Sequence, residues 1–507
     1  MRYNNHHFGD FASHFVSWKE MVIIIKKILT TDLIRKSEES AVGSGAFSLR
    51  DLMFNAGKAA AEIIMQKYDC RNKKITVVCG RGNNGGDGCV IAGILAENGA
   101  QVTICTPLGT PTTENAEFYY NNLKYVTKTD TFTPDANIIV DAIFGIGLNR
   151  LPDEKTLELI KAINLAAAVR IAVDIPSGVE ADSGKVLGAA VNADLTITFI
   201  ALKPCFVLPF GSDYCGETVV ADIGAPPIGY SFLTTEKPIF KKRNHNSHKG
   251  TFGTGLMLCG SYGMAGAAVL AARAALRSGI GIVKSVLCDN IYYPFTVSVP
   301  EAVCVPIKPN SKGTLCPDNL NLTELLKGCT AVLIGCGMGN NGDTARLVRE
   351  LLETSEIPIV IDADGINALL NSIDIIKKSK APVILTPHPG EMARLCSISI
   401  SEVEENRVEI AKDFAAKYGC VLVLKGANTI VATPSGKVYF NMTGNPGMST
   451  GGSGDALAGI TLSLLAQGLV AEDAAKAAVY LHGEAGDKAA AKHGERWMLP
   501  TDLIEEL

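Results

Sequence analysis

The sequence of 507 residues lacks three features that would each place it in a familiar class of protein. Its fourteen cysteines include no Cys-x-x-Cys pair, so neither a disulfide framework nor a cysteine-bound metal cluster is indicated. Acidic residues (52) outnumber basic residues (47), and the net charge of −5 argues against a nucleic-acid partner. No apolar run approaches the roughly 18 residues of a membrane span. We therefore expect a globular, cytoplasmic protein that binds neither nucleic acid nor membrane.

The beginning of the sequence has no pattern typical of a secretion signal. The apolar run Met21-Val-Ile-Ile-Ile25 is short, is followed directly by Lys26, and lacks a small-residue cleavage site. We interpret residues 1–25 as a frayed extension ahead of the first domain. The length of 507 residues exceeds what one hydrophobic core supports, so two or more domains are expected.

Two glycine-rich segments are the most informative feature that is present. They read Cys79-Gly-Arg-Gly-Asn-Asn-Gly-Gly-Asp-Gly88 and Gly451-Gly-Ser-Gly-Asp455, and each follows a strand-like stretch and opens a helix. Such an arrangement directs free backbone N–H groups at a phosphate. Each segment also carries an acid, Asp87 or Asp455, which would repel a phosphate unless it served a metal, a sugar hydroxyl or a proton. Two such segments predict two sites.

Short apolar strands alternate with helices along both halves of the sequence. We predict strands over 75–79, 101–105, 138–142, 170–173, 195–200, 256–259, 281–287, 331–334, 358–361, 382–385 and 421–424. We predict helices over 88–98, 156–168 and 455–467, and a capping box of Ser48 and Asp51 at the start of an earlier helix. This alternation indicates an α/β fold with parallel sheets covered on both faces and ligands at the strand carboxyl ends. The aperiodic region 225–250 separates the halves, so we predict domains at 1–228 and 229–507.

The first glycine-rich segment satisfies the dinucleotide fingerprint with Gly80, Gly82 and Gly85. An ordinary NAD site also needs an acid at the end of the next strand, which here ends Cys105-Thr-Pro-Leu. A standard hydride-transfer site is therefore disfavoured.

Three strand ends in the first half carry oxygen-bearing side chains, namely Asn84, Asp141 and Ser177. Oxygen ligands suit a hard cation such as K⁺, Na⁺ or Mg²⁺ better than zinc. The alternative is that these are turn residues that satisfy one another's hydrogen bonds. Their joint position at strand ends favours a site.

The first half resembles the NAD(P)H-hydrate epimerase domain. The resemblance is carried by Gly82-Asn-Asn-Gly-Gly-Asp-Gly88, Asp141-Ala-Ile-Phe-Gly-Ile-Gly-Leu148, Val173-Asp-Ile-Pro-Ser-Gly178 and Thr196-Ile-Thr-Phe199 with Lys203. It implies potassium ligands at Asn84, Asp141 and Ser177, and substrate contacts at Asn83, Asn84, Gly85, Gly86, Asp87, Gly145, Ile146, Gly147, Leu148, Asn149, Arg150, Leu151 and Asp174. The sequence departs from the family at Phe54, where Glu-Asn-Ala-Gly is usual.

The second half resembles the ADP-dependent NAD(P)H-hydrate dehydratase, which has a ribokinase-like fold. The matching motifs are Gly250-Thr-Phe-Gly253, Gly260-Ser-Tyr-Gly-Met-Ala-Gly-Ala267, Thr386-Pro-His-Pro-Gly-Glu391, Lys425-Gly-Ala-Asn-Thr429 and Thr443-Gly-Asn-Pro-Gly-Met-Ser-Thr-Gly-Gly-Ser-Gly-Asp455. The resemblance implies adenine-nucleotide contacts at Lys425, Gly426, Ala427, Asn428, Thr429 and Gly454. It implies hydrate contacts at Ala267, Gly339, His388 and Asp455.

The order of the two resemblances is that of the bifunctional nicotinamide nucleotide repair enzymes. It implies interconversion of the R and S epimers of NAD(P)H hydrate, followed by dehydration of the S epimer. The dehydration would consume ADP, with magnesium ion as cofactor, and would release AMP and phosphate. We interpret Asp174 and Asp455 as the catalytic acid–base residues. Lys203 is either a ligand of a substrate phosphate or a solvated side chain, and His482 is interpreted as a packed helix residue. The resemblance also implies a homo-oligomer.

Two other functions fit parts of the sequence. A ribokinase-like kinase for a vitamin or sugar would explain the second half, and would leave a stable phosphorylated product. A nucleotide-sensing module would bind ligand without turnover. Neither alternative explains both halves.

Overall fold

A computed structural model describes residues 27–240 and 242–507, which form two α/β units around separate sheets. The predictions for residues 1–25 lie outside this part of the chain. No helix of the described residues is both long and apolar enough to cross a bilayer.

The first unit contains a seven-stranded sheet in the order β4-β3-β2-β5-β6-β7-β8, in which every neighbouring pair is parallel. In chain order the elements up to its last strand are β1 (Lys27–Ile28), α1 (Thr31–Gly43), α2 (Leu49–Lys67), β2 (Lys74–Cys79), α3 (Asn83–Glu97), β3 (Gln101–Cys105), α4 (Glu114–Asn121), β4 (Thr127–Thr129), β5 (Ile138–Ala142), α5 (Glu154–Leu165), β6 (Val169–Val173), β7 (Leu195–Phe199) and β8 (Glu217–Ala221).

The second unit contains an eleven-stranded sheet in the order β1-β9-β18-β17-β16-β15-β14-β13-β10-β11-β12. The six neighbouring strands β15-β14-β13-β10-β11-β12 are parallel to one another. Strands β16, β17 and β18 form an antiparallel meander. Its elements are β9 (Phe232–Thr234), β10 (Thr254–Leu258), α6 (Ala265–Arg277), β11 (Ile282–Cys288), α7 (Asp289–Ser298), β12 (Val303–Ile307), α8 (Leu322–Leu326), β13 (Ala331–Ile334), α9 (Gly342–Thr354), β14 (Ile359–Ile361), α10 (Asp364–Asn367), β15 (Val383–Leu385), α11 (Pro389–Cys396), α12 (Ile400–Glu405), α13 (Arg407–Tyr418), β16 (Val421–Leu424), β17 (Ile430–Ala432), β18 (Val438–Phe440), α14 (Ser453–Ala466), α15 (Ala471–His493) and α16 (Pro500–Glu505).

The predicted α/β fold is confirmed, and its central strands lie within two residues of the predicted bounds. These strands are buried on both faces, as in β5 and β13, where every residue is buried. The capping box is also confirmed, because the Ser48 side chain accepts from the Asp51 amide and the Asp51 carboxylate accepts from the Ser48 amide.

All three helices with predicted bounds begin earlier than predicted, and α5 begins at Glu154 rather than at residue 156. The predicted start at Gly88 was wrong, since α3 begins at Asn83, and α14 begins at Ser453 rather than Asp455. Glycines in the first turn suggested a loop, but here they permit close packing. A Cβ added at Gly85 would lie 2.0 Å from the Gly80 carbonyl oxygen. Asp455 therefore lies in the first turn of α14, near the electropositive end of the helix, whereas Asp87 lies one turn further along α3.

The first residues of the described chain join the two units. Lys27 and Ile28 pair antiparallel with Leu233 and Phe232 in the second sheet. The Leu29 amide then donates to the Leu202 carbonyl oxygen of the first unit, at 2.9 Å. One hydrophobic core continues through Ile28 and Leu202 into the second unit, so the units share buried contacts.

Candidate active sites

The first candidate site lies where the carboxyl ends of β2, β5 and β6 meet. Asn84 is in the first turn of α3, which follows β2, while Asp141 is the second-last residue of β5 and Ser177 follows β6. These strands are adjacent and parallel, so their carboxyl ends share one edge of the sheet. The structure thus brings together residues that lie up to 93 positions apart in the sequence.

Asp141 and Ser177 form a buried, hydrogen-bonded pair. The Ser177 hydroxyl donates to Asp141 Oδ1 at 2.7 Å, and the Ser177 amide donates to Oδ2 at 2.8 Å. The Ile143 amide also donates to Oδ1, at 3.2 Å. Burial raises the pKa of Asp141 to about 6, and these hydrogen bonds oppose that rise. The pair therefore offers a fixed carboxylate whose charge is only partly compensated by the chain.

Asn84 is buried, yet neither atom of its amide group has a hydrogen-bond partner within the described residues. A buried amide without a partner costs about 1–3 kcal/mol, so an ion, a ligand or a water would stabilise this position. Oxygens of an amide, a carboxylate and a hydroxyl suit a hard cation. The residues present therefore fit the potassium ion that the sequence predicted for Asn84, Asp141 and Ser177.

Asp174 and Lys203 form a second charged pair at this edge. Lys203 Nζ lies 2.7 Å from Asp174 Oδ1, and it also donates to Thr198 Oγ1 at 2.6 Å and to the Phe199 carbonyl at 3.0 Å. Asp174 adopts a positive φ of 68°, and its Oδ2 accepts from the Ile146 amide. The prediction of a solvated Lys203 was wrong, because its side chain is 1% exposed and pairs with Asp174, whereas its contact with a substrate phosphate stays a prediction.

Two further carboxyl groups surround Asp174. Burial and the nearby charges of Asp174 and Glu38 raise the pKa of Asp87 well above its ordinary value. Glu38, on α1, also has a raised pKa because of burial and the charge of Asp174, which Lys203 partly offsets. The carboxyl group of Asp87 makes no hydrogen bond or ion pair with the residues described here. Glu38 was not predicted, because no motif surrounds it.

The predicted substrate loop 145–151 lies against these groups. Gly145 approaches them so closely that an added Cβ would lie 2.6 Å from Asp174 Oδ2 and 3.3 Å from Asn84 Oδ1. Leu148 is buried, whereas Gly147, Asn149, Arg150 and Leu151 are exposed. The loop therefore covers the carboxylates at one end and reaches solvent at the other.

The second candidate site contains a cavity of about 720 Å³. Its lining includes every residue predicted to contact the adenine nucleotide, namely Lys425, Gly426, Ala427, Asn428, Thr429 and Gly454. The cavity also reaches His388, Gly451 and His482. The amino terminus of α14 opens into it, so backbone N–H groups and the positive end of the helix dipole are available to an anion.

A charged network lies beside the amino terminus of α14. Lys425 Nζ is 2.8 Å from Asp362 Oδ1 and 3.9 Å from Glu391 Oε2. The Thr386 hydroxyl also donates to Asp362 Oδ1, at 2.7 Å. Burial opposes the charge of Lys425, but the two carboxylates outweigh it and raise its pKa. The ammonium group is therefore fixed close to Gly454, where an added Cβ would lie 3.3 Å from Lys425 Nζ.

Asp455 lies in the first turn of α14, close to this network. Burial, followed by the charge of Asp362, raises its pKa to about 6. Ligand atoms of Asp455, Asp362 and Cys336 all lie within 4.8 Å of one another. A carboxyl group with such a pKa is well matched to proton transfer near neutral pH.

The two histidines near the cavity differ in environment. His388 Nδ1 accepts from the Gly390 and Glu391 amides, so His388 caps α11, and burial lowers its pKa. His482 lies in a helix as predicted, but it also lines the cavity, where Nε2 is 2.9 Å from the Ser453 carbonyl oxygen. Burial lowers the pKa of His482 to about 4.

Of the four predicted hydrate contacts, His388 lines the cavity, whereas Asp455, Ala267 and Gly339 lie outside its lining. The Gly339 amide donates to Asp364 Oδ2 at 2.8 Å. Ala267 faces Gly337, where an added Cβ would lie 2.9 Å from the Ala267 methyl group. Both follow neighbouring strands, β13 and β10, so they lie at the same sheet edge as Asp362.

Fold and geometry define a two-domain α/β protein with a separate polar site at the carboxyl edge of each sheet, where α/β enzymes place their active sites. Residues 49–205 match the family described as YjeF-related protein N-terminus, and residues 255–507 match the NAD(P)H-hydrate dehydratase family. The chain belongs to the family of bifunctional NAD(P)H-hydrate repair enzymes.

Relatives named as that enzyme cover nearly the whole chain. The protein of Moorella thermoacetica is 37% identical over 483 residues, covering 90% of this chain and 91% of its own. That of Coxiella burnetii is 38% identical over 490 residues, covering 94% and 97%. Among solved structures, the ADP/ATP-dependent NAD(P)H-hydrate dehydratase of Bacillus subtilis, co-crystallised with ATP and Mg²⁺, is 32% identical with a TM-score of 0.46, covering 53% of this chain and 91% of its own.

Proposed function

We propose that this protein repairs hydrated nicotinamide dinucleotides at two sites. The first site interconverts the R and S epimers of NAD(P)H hydrate, and the second removes water from the S epimer with consumption of ADP. Family membership supports the pair of activities. The observation that carries the proposal is the presence, on separate sheets, of two sites whose acids have raised pKa values beside an anion-binding helix terminus.

At the first site, epimerisation requires the C6 hydroxyl to leave and return through a cationic ring. We expected Asp174 to be the acid–base residue, but Lys203 and the Ile146 amide engage its two oxygens, so it would instead stabilise the positive ring. Asp87, whose pKa burial raises, would hold the proton that accompanies the leaving hydroxyl. The glycine-rich first turn of α3 would bind a phosphate of the dinucleotide.

Potassium would be held by Asn84, Asp141 and Ser177. The unpartnered amide of Asn84 and the fixed carboxylate of Asp141 support this assignment. The ion would supply a positive charge that holds α3 and the 145–151 loop in place. Because Gly145 lies against Asn84 and Asp174, displacement of Asn84 would also displace the substrate loop.

At the second site, the oxygen of the C6 hydroxyl would attack the terminal phosphorus of ADP, and Asp455 would take the proton of that hydroxyl. The bond between that phosphorus and the bridging oxygen breaks, and AMP leaves. The ring nitrogen then expels phosphate from C6, and loss of a proton from C5 restores the dihydronicotinamide. The amino terminus of α14 and Lys425 would stabilise the charge on the transferred phosphoryl group.

Magnesium would enter this site on the phosphates of ADP. Asp362 and Asp455 supply carboxylates, but Lys425 and Thr386 already occupy Asp362 Oδ1, and the third neighbour is the thiol of Cys336. This set suits an ion held chiefly by nucleotide oxygens, which is how magnesium usually binds.

One assay tests the proposal. The purified protein is mixed with both NADPH hydrate epimers and ADP, and absorbance of the dihydronicotinamide is followed together with AMP and phosphate. We expect recovery of both epimers, with one AMP and one phosphate for each NADPH. A stable phosphorylated product would instead support the kinase alternative, and binding without turnover would support a sensor.

We also infer a cytoplasmic location and a homo-oligomeric state. All fourteen cysteines lie within the described residues and are free thiols, which suits a reducing compartment. Fractionation of the source cells tests the location. Light scattering during size-exclusion chromatography tests the oligomer, and a mass of 53.6 kDa would contradict it.

A further inference from the structure

One buried arginine lies outside both sites but contacts the segment that leads into the second. Arg407 is the first residue of α13 and is 4% exposed. Its Nη1 donates to Glu404 Oε2 at 3.0 Å. Its Nη2 donates to the backbone carbonyls of Leu424 and Lys425, at 3.3 and 3.2 Å. A guanidinium can make such contacts together because its five N–H donors form a rigid, planar fork.

These two carbonyls belong to the segment that carries β16 into the 425–429 loop, which we term the nucleotide loop. Gly426 lies directly against the guanidinium. An added Cβ at Gly426 would lie 2.5 Å from Arg407 Nη1 and 2.7 Å from Nη2, and its φ of 147° is a value that side chains rarely adopt. Arginine at 407 and glycine at 426 are therefore matched to one conformation of the loop.

Further hydrogen bonds hold the nucleotide loop at both of its ends and across its middle. The Lys425 amide donates to the Pro387 carbonyl at 2.9 Å, and the Thr429 hydroxyl donates to the Gly426 carbonyl at 3.0 Å. The Asn441 amide donates to the Thr429 carbonyl at 2.8 Å. Arg407 thus fixes the first residues of the loop, and Asn441, which directly follows β18, fixes its last residue.

A buried guanidinium is costly unless its charge and donors are satisfied, and an apolar side chain would fill a core position at lower cost. Arg407 instead binds the carbonyl oxygens of Leu424 and Lys425, where the chain enters the lining of the cavity. It also sets the backbone from which Lys425 reaches Asp362. Arg407 itself does not line the cavity.

We propose that Arg407 is a positioning residue for the phosphoryl donor, acting through the nucleotide loop and touching neither ADP nor the hydrate. This inference rests on the proposed assignment of that loop to ADP. Loss of Arg407 would alter the site where the nucleotide binds, and would leave the hydrate pocket and the epimerase site as they are.

The test compares Arg407→Met, Arg407→Lys and Gly426→Ala with Arg346→Met, which removes an exposed arginine of the same unit. For each, the KM for ADP, the KM for the S hydrate, kcat and the rate of epimer exchange are measured. We expect Arg407→Met and Gly426→Ala to raise the KM for ADP about 10- to 100-fold, because small displacements of a positioning loop have effects of this size. The KM for the hydrate and the exchange rate should change less than about twofold, and Arg407→Lys should be intermediate.

Equal rises in both KM values, or no change in either, would overturn the proposal. Epimer exchange reports whether each variant is folded in the first unit. If Arg407→Met does not fold, Gly426→Ala and Arg407→Lys decide by the same criterion, and an unaltered KM for ADP in both overturns it. Failure of the wild-type protein to use ADP would refute the proposed function itself, whereas an active wild type with unaffected variants would refute only the role of Arg407.

Discussion

Replacing Lys203 with methionine is the sharpest test of the charged pair in the first site. The ammonium group is buried, contacts Asp174 at 2.7 Å, and also donates to Thr198 and Phe199. Removing one partner of a buried ion pair destabilises a protein by about 3–5 kcal/mol, because the remaining charge is left uncompensated. We expect a loss of this size in Lys203→Met, together with loss of epimer exchange.

Native-state hydrogen exchange of β7 measures this effect locally, because β7 carries Thr198 and Phe199. A loss of about 3–5 kcal/mol corresponds to exchange that is roughly 10²- to 10⁴-fold faster, since 1.4 kcal/mol is a factor of ten. Lys58→Met is the matched control, because Lys58 forms only an exposed pair with Glu62 and should lose less than about 1 kcal/mol. The double variant Lys203→Met, Asp174→Asn should recover much of the stability. A Lys203→Met protein that exchanges like the control would refute a buried ion pair.

Three further predictions address the sites separately. Because Asp455 acts in its ionised form and its pKa is about 6, kcat/KM for dehydration should rise about tenfold per pH unit up to pH 6 and then level off; a profile that is flat through pH 6 would contradict this role. Gly145→Ala should abolish epimer exchange and spare dehydration of the S epimer, since its Cβ would lie 2.6 Å from Asp174 Oδ2, whereas Gly43→Ala, at the end of α1, has open space and should leave both activities unchanged. Potassium should raise the melting temperature of the wild type but not of Asn84→Ala, and equal shifts in thermal melts would argue against a cation at Asn84.

The central strands could be predicted from the sequence because each is a short, continuous apolar run buried on both faces. Two of the edge strands, β1 and β4, could not be predicted, because they carry no such run. Thr127–Thr129 is polar and mostly exposed, and Lys27–Ile28 is only two residues long. Lys27–Ile28 is a strand only because it pairs with β9, about 200 residues further along the sequence, and local periodicity does not encode such a pairing.

The motifs located most of the side chains of the first site, because parallel strands bring their carboxyl ends to one edge. They did not reveal the partners that set the charges. Lys203 lies 29 residues beyond Asp174, and lysine is so rarely buried that a solvated or phosphate-binding role was the natural expectation. Glu38 and Arg407 have no motif around them, and their importance is visible only from what they contact.

The account depends on two separate sites that act in sequence, and a mixing experiment tests this most directly. Asp174→Asn and Asp455→Asn proteins are each supplied with the R epimer of NADPH hydrate and ADP, alone and together, and the appearance of NADPH is followed. Alone, the first should recover R only as fast as it epimerises spontaneously, and the second should recover none; together they should recover R at an enzymatic rate. Rapid recovery by Asp174→Asn alone, or no recovery by the mixture, would contradict the account.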